Sequence, residues 1–192
     1  FVNAIDGRSC TKEQIQAGTE LKVKWNSLNG HRDEISKPSE VACSLSHIKA
    51  WERLISEGLD HAIILEDDVF CSVNSEIQLP ANAEFIYLST RANLNSVGEV
   101  IAPLCGAEAY YLTKNCAQKL IDINQEIIMP VDIQWLPQID SLIASKHFLT
   151  AFTNRDLPTF KAFSIPGIFR LSQHHFNSQI RSPLLMKKDE FF

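Results

Sequence analysis

Three consecutive carboxylates, Glu66, Asp67 and Asp68, directly follow the apolar run His61 to Leu65. Such a run is typical of a strand that is buried on both faces of a sheet. Open α/β sheets bind ligands at the carboxyl ends of their strands, so the acids are expected at a ligand-binding edge. A divalent cation would relieve the repulsion between the adjacent charges. Because Mn²⁺ and Mg²⁺ prefer one or two carboxylates plus substrate phosphates, the triplet predicts a site for a metal-bound diphosphate.

The triplet also allows two other interpretations. In an extended backbone Glu66 and Asp68 would point to one side, which suits a shared metal, but an isolated acidic triplet is equally compatible with a solvated turn. A phosphoacceptor pocket like that of response regulators also begins with a strand that ends in two acids. That pocket needs a lone Asp after the next strand, whereas the next predicted strand ends in Leu88-Ser89-Thr90. The sequence therefore disfavours the phosphoacceptor pocket and leaves the solvated turn open.

A helix is the clearest element before the acidic strand. Ser39 is its predicted cap, and apolar residues recur at helical spacing as far as Gly58, where the helix is expected to end. Residues 1–5 predict a strand that runs into a turn at Asp6-Gly7, and the chain from there to the helix is predicted to be irregular. Further strands are predicted at residues 84–89, 100–104, 109–112 and 148–152, and further helices after Thr113 and Pro130, with a break at Pro137.

The composition fits one domain that spans residues 1–192, with the order of residues 182–192 left open. With 45% hydrophobic residues the chain can bury a core of ordinary size. A net charge of -5 and scattered Lys and Arg residues argue against nucleic acid as a partner, because phosphate binding needs clustered positive charge. Five widely separated cysteines without a C-x-x-C pair indicate free thiols.

The hydrophobic pattern predicts a cytoplasmic chain. No apolar run approaches the ~20 residues needed to cross a bilayer, and the opening residues lack the layout of a secretory signal. Residues 181–192 mix basic and apolar side chains, which permits at most peripheral contact with the inner face of a membrane.

Six motifs occur in one order along the chain. They are Ala4-Ile-Asp-Gly7; Glu40-Val-Ala-Cys-Ser-Leu-Ser-His47 with Trp51; Ile64-Leu-Glu-Asp-Asp-Val69; Gly106 through Tyr110-Tyr-Leu112 with Ala117 and Leu120; Pro130-Val-Asp132; and Gln173 with Ser178. Each motif is weak alone, but the ordered series resembles glycosyltransferase family 25, which includes lipooligosaccharide and collagen galactosyltransferases.

The resemblance implies an α/β fold of the GT-A type, a Rossmann-like mixed sheet flanked by helices. Family members usually begin with a strand and an Arg-rich helix before the Ala-Ile-Asp-Gly turn, and the resemblance implies that this chain lacks both. The implied reaction moves a hexose, galactose above all, from a UDP-sugar to a lipooligosaccharide, lipopolysaccharide or other glycan acceptor with inversion. The implied cofactor is Mn²⁺ or Mg²⁺, held by Glu66 and Asp68. Several GT-A enzymes complete the metal shell with a late His, which makes His174 the candidate third ligand, although the motif resemblance itself matches Gln173 there.

The resemblance also assigns roles to residues outside the triplet. Asp132 is the candidate base for the acceptor hydroxyl, although a carboxylate at a helix start can equally be a cap; Asp140, expected within a helix, is the weaker candidate. The residues implied to contact the donor are Ile5, Asp6, Ser44, His47, Glu66, Asp67 and Asp68. From the residues alone, Asp6 would be a turn residue and His47 a hydrogen-bonded structural histidine.

Two functions remain open on the sequence. The first is an inverting UDP-sugar transferase, which the intact Glu66, Asp68 and Asp132 favour. The second is a GT-A-like remnant that binds a glycan or a partner without catalysis. Binding of Mn²⁺ plus UDP would separate the two, because a ligand of the native state stabilises it by mass action.

Overall fold

The computed structural model describes residues 2–25, 35, 37–71, 78–89, 98–100, 105–141, 157–171 and 184–186. Within these ranges the strands are β1 Lys22–Val23, β2 His61–Leu65, β3 Val69–Cys71, β4 Phe85–Ser89, β5 Gly98–Glu99, β6 Ala109–Thr113, β7 Glu126–Ile127, β8 Ala162–Leu171 and β9 Leu184–Met186. The helices are α1 Lys12–Ala17, α2 Pro38–Ser56, α3 Lys114–Ile123 and α4 Val131–Gln134, followed by a 3₁₀ turn at Leu136–Gln138.

A mixed seven-stranded sheet forms the centre of the described structure. Its order is β3-β8-β4-β6-β2-β9, and β5 pairs with β8. Strand β6 runs antiparallel to both β2 and β4, while β4 and β8 are parallel. In this register Tyr110 lies opposite Ile64 on one side and Tyr87 on the other. The predicted fold class, a mixed sheet flanked by helices and consistent with a Rossmann-like glycosyltransferase, is confirmed.

Helix α2 was predicted to begin at a Ser39 cap, and this detail is wrong. The cap position is Lys37, whose backbone N–H donates to Glu40 Oε2 at 2.9 Å, and Pro38 occupies the first helical turn. Proline suits that position because its missing N–H would have no partner within the helix. The helix ends as predicted before Gly58, which has a φ of 69°. Its buried residues include Val41, Leu45, Ile48, Trp51 and Leu54.

The helices after Thr113 and Pro130 are confirmed. Thr113 Oγ1 accepts a hydrogen bond from the backbone N–H of Cys116 at 3.2 Å, which satisfies one of the free donors at the start of α3. Helix α4 is a single turn directly after Pro130, and the chain continues as the 3₁₀ turn that contains Pro137. A proline there cannot donate the bond that would extend α4.

Other element predictions are wrong or lie outside the described residues. Residues 2–5 form no strand; instead, the backbone N–H of Ile5 donates to Ser46 Oγ at 3.0 Å, so the segment is held by α2 rather than by a sheet. The stretch predicted to be irregular contains α1, whose start is closed by a reciprocal capping box between Thr11 and Gln14. The long strand β8 was not predicted. The predicted strand at residues 148–152 and most of that at 100–104 lie outside the described residues.

Both faces of the sheet are covered by apolar side chains, so every residue of β4 is buried. The larger cluster lies between the sheet and the helices α2, α3 and α4, and its centre is aromatic. Phe85 and Tyr110 stack with ring centroids 5.0 Å apart, and Trp135 approaches Tyr110 edge-on at 5.5 Å. Large rings packed in such a cluster fix the positions of the helices against the strands.

Gly7 explains why a glycine follows Asp6 in the first motif. A Cβ atom at this position would lie 2.7 Å from both Ala42 Cβ and the carbonyl oxygen of Pro38. The turn therefore contacts the first turns of α2 more closely than any side chain permits.

Among the described residues, none of the helices has the length and apolar character that a transmembrane span requires.

Replacement of Gly7 by alanine should therefore lower the free energy of unfolding by about 1–3 kcal/mol, the usual cost of overpacking. Gly18→Ala is the matched control, because its Cβ would meet only ordinary contacts at 3.4 and 3.5 Å and should change stability by less than about 1 kcal/mol. Urea unfolding of the two variants measures both values. Equal stability of the two variants would contradict the close contact at Gly7.

Candidate functional site

The acidic triplet begins where β2 ends. Leu65 is the last residue of the strand, and the backbone N–H of Glu66 still donates to the Glu108 carbonyl at 2.8 Å, which extends the ladder with β6 by one bond. Asp67 and Asp68 then form a turn, closed by a 3.4 Å bond from Val69 N–H to the Glu66 carbonyl. The expectation of an extended backbone through the triplet is therefore wrong. The turn, not strand alternation, decides where these three side chains point.

The three acids consequently have different environments. Glu66 is partly exposed, with 22% of its side-chain surface accessible, Asp67 is exposed, and Asp68 is only 7% exposed. Burial of a carboxylate costs free energy unless a hydrogen bond or a cation compensates it. Glu66 and Asp68 thus differ from Asp67 in being at least partly buried.

His47 connects α2 to Glu66. The imidazole is 1% exposed; its Nδ1 lies 2.8 Å from the Tyr110 hydroxyl and its Nε2 lies 3.4 Å from Glu66 Oε1. Trp51 Nε1 donates to the same hydroxyl at 2.9 Å. Four side chains from α2, β6 and the end of β2 therefore form one polar chain that leads from the core to the triplet.

The chemistry of the buried hydroxyl suggests the direction of these bonds. Tyr110 accepts from the indole N–H of Trp51, so its own proton needs an acceptor, and His47 Nδ1 is within reach. In that arrangement Nε2 carries the proton and donates to Glu66. Burial raises the pKa of Tyr110 well above its usual range, so the hydroxyl keeps its proton.

Asp132 approaches the same region from α4. Its Oδ2 accepts from the backbone N–H of Gly106 at 2.8 Å, which ties the first turn of α4 to the turn before β6. Gly106 has a φ of 123°, a conformation that side chains rarely adopt. Burial raises the pKa of Asp132, and the negative charge of Glu66 adds to the rise; the Gly106 N–H, its own backbone N–H and His47 oppose it.

Cys43 is one helical turn before His47 on α2. Burial raises the pKa of its thiol well above the usual range, and the charges of Glu66 and Asp132 raise it further. The Sγ of Cys43, one ring nitrogen of His47 and one carboxylate oxygen of Glu66 all lie within 4.8 Å of one another. Sequence reasoning missed Cys43, although its i, i+4 spacing from His47 was a usable signal.

Glu108 is a second residue that sequence reasoning missed. It is 1% exposed, and its Oε1 accepts from Ser89 Oγ at 2.9 Å. The signal was its place between Gly106 and Tyr110, where an acid interrupts an otherwise apolar strand. A second carboxylate thus lies beside Gly106, because a Cβ atom there would clash with Glu108, while the Gly106 N–H donates to Asp132.

Three further residues implied to contact the donor make other contacts in the structure. Ser44 is fully buried and its Oγ donates to the Glu40 carbonyl at 3.2 Å. Ile5 lines a separate cavity of about 330 Å³, together with Leu45, Ile48 and Lys49 on a different face of α2 from His47.

Asp6 is exposed and pairs with Arg8, whose side chain and backbone N–H donate to the carboxylate at 2.7–3.0 Å. The hydrogen bonds from Arg8 lower the pKa of Asp6 to about 2. Such short-range contacts are those expected of Asp6 as a turn residue.

The remaining site residues are placed only in part. His174, predicted as a metal ligand, and the motif residues Gln173 and Ser178 lie outside the described residues. The backbone N–H of Asp140 donates to the Phe160 carbonyl at 3.0 Å, directly after the 3₁₀ turn. The five cysteines are free thiols, as the sequence predicted.

Comparison with known proteins places this geometry in a family. The family model described as glycosyltransferase family 25 (LPS biosynthesis protein) matches residues 1–98. Procollagen galactosyltransferase 2 of Homo sapiens is 26% identical over 187 residues, which cover 84% of this chain and 29% of that protein. Inactive glycosyltransferase 25 family member 3 of Mus musculus is 29% identical over 188 residues, which cover 84% of this chain and 30% of that protein.

A third relative, procollagen galactosyltransferase 1 of Danio rerio, is 25% identical over 187 residues, with 84% of this chain and 30% of that protein covered. The chain thus spans about 30% of the length of these curated relatives. The family match includes the first three of the six ordered motifs, from the Ala-Ile-Asp-Gly turn to the acidic triplet. The chain belongs to glycosyltransferase family 25.

Proposed function

We propose that the chain is an inverting glycosyltransferase that moves galactose from UDP-galactose to a glycan acceptor such as lipooligosaccharide. The observation that carries the proposal is the 3.4 Å contact of His47 with Glu66 at the end of β2, with Asp132 of α4 near enough for the charges of both to act on its pKa. Asp68 lies in the turn directly beyond them. Clustered titratable groups with a shifted pKa at a strand end are typical of active sites.

The residues of the triplet fit a hard divalent cation. Glu66 and Asp68 offer carboxylate oxygens, the donors that Mn²⁺ and Mg²⁺ prefer, and a diphosphate would supply further oxygens. When bound, the cation neutralises negative charge on the departing UDP. His47 contributes by holding Glu66 through Nε2, so that the carboxylate keeps one orientation. His174 remains the proposed additional ligand.

Asp132 is the proposed base. The acceptor hydroxyl attacks the anomeric carbon, the bond between that carbon and the UDP oxygen breaks with its electron pair leaving on UDP, and the hydroxyl proton passes to Asp132. Attack from the face opposite to UDP inverts the configuration. Burial raises the pKa of Asp132, which makes its carboxylate a stronger base than that of an exposed aspartate.

A second candidate function is a non-catalytic domain that binds a glycan or a partner. It is favoured by the relatives of similar identity whose names describe inactive family members. The two functions differ in whether Mn²⁺ and a UDP-sugar bind and whether sugar is transferred.

Substitution of Asp68 tests the proposed metal site. Asp68→Asn should weaken UDP binding in the presence of Mn²⁺ by at least about tenfold, because it removes a proposed metal ligand. Asp122→Asn, an exposed aspartate of α3, is the control and should lose less than about threefold. Isothermal titration with UDP, with and without Mn²⁺, measures both. Equal losses in the two variants would refute the assignment of the metal to Asp68.

Asp132→Asn tests the base. The amide oxygen can still accept from Gly106, so UDP-sugar binding should stay within about threefold of wild type while kcat falls by about 10²–10⁴-fold. Asp122→Asn, an exposed aspartate of α3, is the control and should leave kcat unchanged. Single-turnover transfer from radiolabelled UDP-galactose gives the rate. Loss of binding that matches the loss of turnover would overturn the division of roles.

The raised pKa of Asp132 also predicts a pH dependence of stability. Because the native state holds this proton more tightly than the unfolded state, the contribution of Asp132 to stability falls as pH rises from about 4 through the raised pKa. The unfolding free energy of wild type minus that of Asp132→Asn should therefore become smaller as pH rises over that range. Urea unfolding at a series of pH values measures it. A difference that stays constant with pH would show an unshifted carboxyl.

A further inference from the structure

We propose that Cys43, His47 and Glu66 form a second metal site, selective for thiophilic divalent cations such as Zn²⁺, which overlaps the proposed donor site at Glu66. The site consists of one sulfur, one nitrogen and one oxygen ligand atom, all within 4.8 Å of one another. Such a mixed set suits Zn²⁺, which takes Cys, His and Glu ligands, and does not suit Mg²⁺.

One ligand separation already has the geometry of a zinc site, and the others, which reach at most 4.8 Å, would shorten by up to about 1.5 Å. In a tetrahedral zinc site with bonds of 2.0–2.3 Å, ligand atoms lie about 3.3–3.8 Å apart. The 3.4 Å separation of His47 Nε2 and Glu66 Oε1 already falls in this range. Cys43 and His47 lie one turn apart on the same face of α2, a spacing that also brings the two histidines of helical zinc motifs together.

The surroundings of His47 resemble those of a metal-bound histidine. Metal at Nε2 requires the other tautomer, in which Nδ1 carries the proton and donates to the Tyr110 hydroxyl at 2.8 Å, so the bond between these two groups reverses when the metal binds. This hydroxyl is itself held by Trp51, so the ring has a fixed orientation toward Cys43 and Glu66. A second partner of this kind typically orients a histidine ligand and fixes its tautomer.

Charge and access also fit. Binding of Zn²⁺ releases the thiol proton of Cys43, and the thiolate and the Glu66 carboxylate then balance the two positive charges. Glu66 is 22% exposed, so a cation can enter from solvent and keep an open fourth position for water. Because both cations would draw on the single Glu66 carboxylate, and two divalent cations held side by side repel each other, Zn²⁺ should compete with donor binding. The competition rests on the proposed role of Glu66, whereas zinc binding itself does not.

The test uses Co²⁺ as a spectroscopic probe and Zn²⁺ as the titrant. Wild type with Co²⁺ should show a thiolate-to-cobalt charge-transfer band in the near ultraviolet, which needs no mutation to be interpreted. Cys43→Ser should lose the band and bind Zn²⁺ at least about 100-fold more weakly, since loss of an outer-shell partner alone costs about 10–100-fold. Cys71→Ser, an exposed thiol on β3, is the control and should retain both. Absence of the band in wild type, or unchanged zinc affinity in Cys43→Ser, would overturn the site.

Mn²⁺-dependent UDP binding in the same variants separates this inference from the proposed function. Cys43→Ser should bind Mn²⁺ plus UDP within about twofold of wild type and should resist displacement by Zn²⁺, whereas Glu66→Gln should weaken both metals. Failure of UDP binding in wild type with an intact cobalt band would count against the proposed function alone. Zinc binding that leaves Mn²⁺–UDP binding unaffected in wild type would refute the overlap at Glu66.

Discussion

The buried hydroxyl of Tyr110 is the interaction on which the site depends. It accepts a hydrogen bond from the indole N–H of Trp51 and contacts His47. Through His47 it connects a fully buried aromatic cluster to the partly exposed carboxylate of Glu66. A buried hydroxyl without partners would cost free energy, and both partners come from α2. The same contacts therefore hold the helix on the sheet and hold Glu66 at the end of β2. Stability and function are coupled through one side chain.

The second constraint is the concentration of negative charge around one turn. Gly106, in the turn before β6, donates its N–H to Asp132 and lies against the Glu108 carboxylate, and the charge of Glu66 acts on Asp132 from the end of β2. Burial of several carboxylates raises the free energy of the ionised state, which is visible in the raised pKa of Asp132. A bound cation would relieve this cost, which supports the proposal of a divalent metal at this site. In the two proposed sites Glu66 binds a hard cation together with Asp68, or a thiophilic cation together with Cys43 and His47.

The sequence predicted the elements whose signals are local. Apolar spacing located α2, the apolar run located β2, and Thr113 and Pro130 marked their helix starts. Residues 2–5 were misjudged because tertiary contact with Ser46, not strand pairing, holds them. The triplet was correctly located at the strand end, but its turn, the burial of Asp68 and the contact with His47 depend on packing between distant segments. Cys43 was overlooked because its partners come together only in the fold.

In the proposed function, Glu66 and Asp68 hold the metal that binds the donor diphosphate. The most direct measurement is a crystal structure of the chain with Mn²⁺ and UDP, with diffraction recorded at the manganese absorption edge. We expect an anomalous peak within bonding distance of carboxylate oxygens of Glu66 and Asp68 and of the diphosphate of UDP. A peak elsewhere, or UDP bound without manganese at these residues, would contradict it.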